Sequence, residues 1–112
     1  MENSTLSSIT QHAHTWSVAG PVIVDTVNKL LLESAKFASS EPVIEINFSK
    51  VTDVDTAALS LMMEWQRRAV AVNKKVAFTH LPANLTSLAS LYGVSEFIPA
   101  TASWAFIELH KS

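Results

Sequence analysis

The chain has 112 residues, 48% apolar and 16% charged; this excludes disorder and suits one domain that buries roughly 65% of the surface its unfolded chain exposes. Its formal net charge is −2, with lysines and arginines scattered along the sequence, so no basic stripe is offered to nucleic acid phosphates or lipid headgroups. Cysteine is absent, which excludes disulfides, thiolate metal sites and a cysteine nucleophile.

Met1 to Ser8 carries neither a basic start nor a continuous apolar stretch, and no apolar run approaches the ~18 residues of a membrane span. A cytoplasmic chain is expected. With two glycines, four prolines and no repeat, nothing marks an internal linker.

Leu6 to Ala19 alternates loosely and is interrupted at Gln11-His12-Ala13-His14, which predicts two short strands joined by a tight turn, with Gly20-Pro21 ending the hairpin. From Asp25 the period changes. Val27, Leu30, Leu31 and Ser34-Ala35 fall at helical spacing, Asp25 or Thr26 is placed to cap the start, and Pro42 prevents continuation. Val43 to Phe48 puts Ile44, Ile46 and Phe48 on one face of a central strand.

Asp55 to Val72 lacks Gly and Pro and gives the strongest helical pattern, with Ser60, Glu64, Arg67 and Arg68 on its polar side. Ala58, Met62, Trp65 and Ala69 lie mid-arc on the apolar side, while Leu59, Met63 and Val70 spread to one flank. That width fits either a deeply buried helix or a helix with a partner-facing patch. Lys75 to Thr79 reads as a strand, and Pro82 to Tyr92 as a helix closed by Gly93. Strands alternating with helices after a hairpin predict an α/β domain whose mixed sheet has four to five strands and carries packed helices. The last residues, with Trp104, Phe106, Ile107 and Leu109, suggest a terminal helix or an added strand.

Chemistry-bearing residues are few. His12 and His14 have a chelating spacing on a strand but lack the third ligand that catalytic zinc takes; as surface residues of a hairpin turn they need no ligand, and His80 and His110 are isolated. Asp53 and Asp55 could share a cation or a proton in an extended segment. Without a Gly-rich loop or nucleophile elbow around them, Asp55 reads more simply as a helix cap. Thr56 places a hydroxyl where a helix N-terminus favours negative charge, suiting a phosphorylation switch or a polar contact to a partner. No catalytic residue, metal or cofactor is expected.

The run from Ile46 through Asn47-Phe48-Ser49 and Asp53-Val54-Asp55-Thr56-Ala57-Ala58 to Leu59 resembles the signature of STAS domains, in which an apolar strand leads to an Asp-Ser/Thr pair opening a helix. The resemblance covers most of residues 5–99, implies the STAS fold, and leaves 100–112 as a C-terminal extension. Anti-sigma factor antagonists of this family carry a phosphorylatable Ser at the position of Ala57. Ala58 stands where Gly is usual, and Asn47 where Asp is usual.

Val54-Asp55-Thr56, and again Leu88-Ala89-Ser90-Leu91-Tyr92-Gly93-Val94, are similar to the small STAS subunits of Mla-type lipid-transport ABC complexes. That resemblance implies a cytoplasmic, non-enzymatic docking subunit, peripheral to the inner membrane through its ATPase partner (MlaF-like), within a system that maintains outer-membrane lipid asymmetry. The partner contact would then fall on Asp55, Thr56, Ala57, Ala58, Leu59 and Met63, with Thr56 also the candidate phosphorylation site. The alternative implied is an anti-sigma factor antagonist switched by a kinase; a third reading, a small-molecule sensor, has no ligand named by the sequence.

Overall fold

In a computed structural model describing residues 6–94, the alternation around Ile9 becomes a hairpin in which β1 (Ser8–His12) and β2 (Thr15–Val22) pair antiparallel. The turn is Ala13-His14, and Ala13 takes a φ of 59°, the left-handed backbone that two-residue hairpin turns demand. His12 is exposed and His14 half-buried at this turn. Among the described residues no three His, Asp or Glu side chains converge on a metal-sized point.

The antiparallel pairing ends at Ala19, just before Gly20-Pro21 as expected, but β2 itself runs on through both residues and pairs parallel with β3 (Val43–Val54). Gly20 has φ +85° and lies so close to the Leu6 carbonyl that a Cβ would meet its oxygen at 2.2 Å. Pro21 follows at a register shift, the irregular site where a strand tolerates a residue without an N–H. Ser7 Oγ donates to the Pro21 carbonyl at 2.5 Å, and Lys29 Nζ donates to the Ser7 carbonyl, so the approach to β1 is clamped from two sides.

β3 is also longer than its alternation implied. Ser17 faces Asn47 but Ala19 faces Lys50, and Gly20 faces Val51 but Pro21 faces Asp53. One extra β3 residue is thus accommodated twice. Each bulge shifts the inward–outward alternation, which is why the pattern stops at Phe48 while the strand continues to Val54. The Asn47 side chain accepts the Ser49 amide at 2.7 Å at the first of these irregularities.

β4 (Lys75–Thr79) adds parallel to β3, giving a mixed sheet in the order β1-β2-β3-β4. Among the described residues there are three helices: α1 (Val27–Ser34), α2 (Thr56–Ala71) and α3 (Ala83–Leu91). The order hairpin, helix, strand, helix, strand, helix is the one predicted. The helices' buried residues, among them Leu30, Met62, Trp65 and Leu85, join Val18, Ile46, Phe48 and Phe78 of the sheet in one core. Ala58, Met62, Trp65 and Ala69 are all buried, as their mid-arc positions require.

Helix ends follow local chemistry. Gly93, at φ 70°, and Asn73, at φ 62°, each follow the last turn of a helix. Val94 and Lys74 return their amides to Ala89 and Ala69, the six-to-one closure that a left-handed residue permits. Thr26 does not cap α1 by its side chain. Its hydroxyl instead accepts from Ile23 N and donates to the Pro21 carbonyl, fixing the link from β2 to α1. No helix among the described residues is long and apolar enough to cross a membrane. The expected terminal element with Trp104 and Phe106, and the extension over 100–112, lie outside the described residues.

Candidate functional site

Helix α2 begins where bulged β3 ends, and that junction collects the residues singled out by the sequence. Asp55 has extended backbone, and its Oδ1 accepts the Ala57 amide at 2.8 Å, satisfying one of the orphan donors at a helix start. Its Oδ2 accepts the Val24 amide at 3.1 Å. One carboxylate therefore holds both the start of α2 and the β2–α1 loop. Asp53 takes no part: it is exposed and, among the described residues, accepts only the adjacent Val54 amide.

Asp55→Ala is expected to lower unfolding stability by about 1–2 kcal/mol, the usual cost of losing a cap, while Asp55→Asn retains most of it. Urea denaturation of the two variants checks this.

Thr56 is exposed at the first helical position and makes no side-chain hydrogen bond among the described residues. Ala57 is half-buried beside it. Ala58 and Leu59 are placed differently from the partner-facing role expected of them. Ala58 is fully buried and Leu59 only 5% exposed; α1 and α3 both pack on α2, and Leu59 belongs to the core. Met63, at 41% exposed, faces outward.

The outward ridge is Thr56, Ser60, Met63, Arg67 and Val70, spaced three or four residues apart and so aligned on one face. Beside it runs a shallow groove between α1 and α2, about 380 Å³, whose walls include Val27, Leu31, Ala57, Ser60 and Glu64. Helical periodicity alone had put Ser60 and Arg67 on the polar side; that they share a ridge with Met63 and Val70 follows from which flank the neighbouring helices cover.

Glu64 supplies the charge pattern here. It accepts from Arg67 Nη2 at 2.6 Å and from Arg68 Nε at 2.8 Å. These hydrogen bonds, Arg67's first, bring its carboxyl from the ordinary 4.5 down to about 2. A carboxylate lowered in the folded state contributes stability that is complete above about pH 4.5 and is lost as pH falls towards 2. Carboxyl-detected NMR titration should find the Glu64 midpoint well below 4.5, and Glu64→Gln should flatten stability against pH across that window.

A family model described as "Mlab, STAS domain" matches residues 6–99. No curated protein matches the chain. Among solved structures, it is similar to the anti-sigma factor antagonist SpoIIAA in its unphosphorylated form, with a TM-score of 0.67 and 14% identity over 95% of this chain and 96% of that one. It is also similar to an anti-sigma factor antagonist from Mycobacterium paratuberculosis, with a TM-score of 0.62 and 17% identity over 85% and 83% of the two chains. At these identities the two likenesses establish the fold.

Proposed function

The chain belongs to the MlaB-type STAS-domain family, and from that premise we propose that it is a docking subunit for the ATPase of an Mla-type lipid-transport ABC complex. The observation that carries this reading is Thr56: an exposed hydroxyl at the start of α2, without a hydrogen bond among the described residues, buttressed by Asp55 and set beside the α1–α2 groove. The side chains at the junction are a capping carboxylate, an exposed hydroxyl and methyl groups, a make-up suited to close approach by a partner rather than to bond-making chemistry.

In this reading Thr56, Ser60 and Met63 contact the ATPase, Ala57 lets the partner's backbone come close, and Asp55 holds the contact surface in place. Ala58 and Leu59 support the interface from within the core. Met63 supplies apolar area of the kind that interface centres favour. The unit comprises residues 5–99, with 100–112 as an extension, and it reaches the cytoplasmic face of the membrane through its partner. The work is non-enzymatic.

Affinity purification of the tagged chain from its own cells tests the proposal. Recovery of an ABC ATPase with its permease, and Thr56 without phosphate by mass spectrometry, is the expected result. Recovery of a kinase-like anti-sigma factor, with phosphate on Thr56, would replace this reading with the signalling switch. Ala57 has no hydroxyl to accept phosphate, which favours the first outcome.

A further inference from the structure

Among the described residues β4 is an edge strand, yet its residues on the side of the sheet away from the helices are buried. Partners in register point to the same side of a sheet. Ile44 and Val76, and Ile46 and Phe78, are such pairs and belong to the core, so the intervening pairs Glu45–Ala77 and Asn47–Thr79 point away from it. This outer face continues through Thr15 and Ser17 of β2 to His12 and Thr10 of β1.

Burial on the outer face runs against position. A central strand is shielded by neighbours on both sides and an edge strand by one, so Ala77 and Thr79 should be more open than Glu45 and Asn47. Instead Ala77 is 3% exposed and Thr79 0%, while Glu45, Asn47, Thr15 and Ser17 are half-buried and Thr10 and His12 exposed. Thr79 Oγ1 donates to Glu45 Oε2 at 2.7 Å, a bond between two neighbours that does not cover Ala77. Ala77 is buried without belonging to the core that takes in Val76 and Phe78 on either side of it. The helices do not supply the cover, since α1, α2 and α3 commit Leu30, Met62, Trp65, Leu85 and Ala89 to that core on the other side of the sheet.

We infer that the chain's own C-terminal segment, residues 95–112, docks on the outer face of β4 and covers Ala77 and Thr79. The segment continues from Val94, just past α3, the helix that follows β4. It carries Trp104, Phe106, Ile107 and Leu109, large apolar side chains matched to a face of small ones. Residues 1–5 instead lead into β1, at the far edge of the sheet. Docking there also guards β4 against strand addition by another chain, the hazard of an open edge. Thr56 takes no part, so the inference stands or falls independently of the ATPase-docking reading.

Because the chain has no cysteine, a single introduced thiol reports on a single place. In the full chain, the thiol of Ala77→Cys should react with a maleimide at least about a hundredfold more slowly than that of His12→Cys, as expected of a site reached only by local opening. Adding Trp104→Asp and Phe106→Asp should speed the reaction at position 77 at least about tenfold, since each replaces a large apolar contact by a charge, with far-UV circular dichroism unchanged. Should that variant unfold, pairing Ala77→Cys in turn with Trp104→Cys, Phe106→Cys and Ile107→Cys carries the test: air oxidation should give a disulfide of monomer mass for at least one pair. Equal reactivity at positions 77 and 12, or protection unchanged in the folded Asp variant, would overturn the inference. So would disulfides found only in dimers, or protection lost on about hundredfold dilution, which would assign the cover to a second copy of the chain.

Discussion

Thr56→Glu is expected to abolish recovery of the ATPase while the isolated domain remains folded. The two halves of this result have separate physical causes. At the first position of a helix a carboxylate is favoured by the exposed amides and the dipole, by about 0.3–1 kcal/mol, and the Thr56 side chain gives up no hydrogen bond among the described residues when it is replaced. At an interface, however, the same charge must be desolvated without a designed partner. Unpaired charges buried on association cost about 2–5 kcal/mol, which weakens binding between about thirtyfold and several thousandfold. Thr56→Ser, which keeps the hydroxyl, should bind nearly as the wild type does. If Thr56→Glu unfolds, the residue is structural; if it binds normally, the contact lies elsewhere.

Gly20→Val should be the most destabilising single change in the hairpin. Two penalties coincide there. A β-branched residue at positive φ is strained by about 1–3 kcal/mol, and the added Cβ would overlap the Leu6 carbonyl oxygen at 2.2 Å, forcing backbone movement of the kind that costs about 1–3 kcal/mol in packed sites. The sum, about 2–6 kcal/mol, is a large share of the 5–15 kcal/mol that separates folded from unfolded domains. Gly93→Ala is the control. Gly93 also has positive φ, 70°, but no atom lies within 4 Å of its would-be Cβ, so only the conformational cost of about 1–2 kcal/mol applies. Urea midpoints for the two variants separate crowding from strain.

What could be read from the sequence depended on whether the signal was local. The helical spacing of Ala58, Met62, Trp65 and Ala69, the glycine after Tyr92 and the alternation of Ile44, Ile46 and Phe48 all report on neighbours a few residues away, and these elements are where the pattern put them. The capping role of Asp55 was legible for the same reason. The extension of β3 to Val54 was not, since bulges opposite Ser17–Ala19 and Gly20–Pro21 break the alternation on which strand reading relies. Gly20-Pro21 carries the composition of a turn, yet its conformation is dictated by Leu6, fourteen residues earlier.

The candidate site divides along the same line. Thr56 and Met63 could be placed on the helix from periodicity, but whether Leu59 faced a partner or the core depended on how α1 and α3 flank α2, which no window of α2 contains. The bond from Asp55 to the Val24 amide spans 31 residues and leaves no trace in either local segment. The same holds for a cavity lined by Trp16, Phe37, Ile44, Trp65 and Val76, whose walls come from β2, α1 and the segment after it, β3, α2 and the turn after it, and β4.

The two-handed grip of Asp55 bears on how fast and how firmly a partner attaches. With the β2–α1 loop and the first turn of α2 tied to one carboxylate, the surface around Thr56 is already in a single arrangement before encounter, so little ordering entropy is spent on association. On the proposed reading, docking there would be a rigid-body event of the kind in which free and bound backbones differ little. Contact variants that leave the grip intact, such as Thr56→Ala, will therefore change the lifetime of the complex far more than its rate of formation.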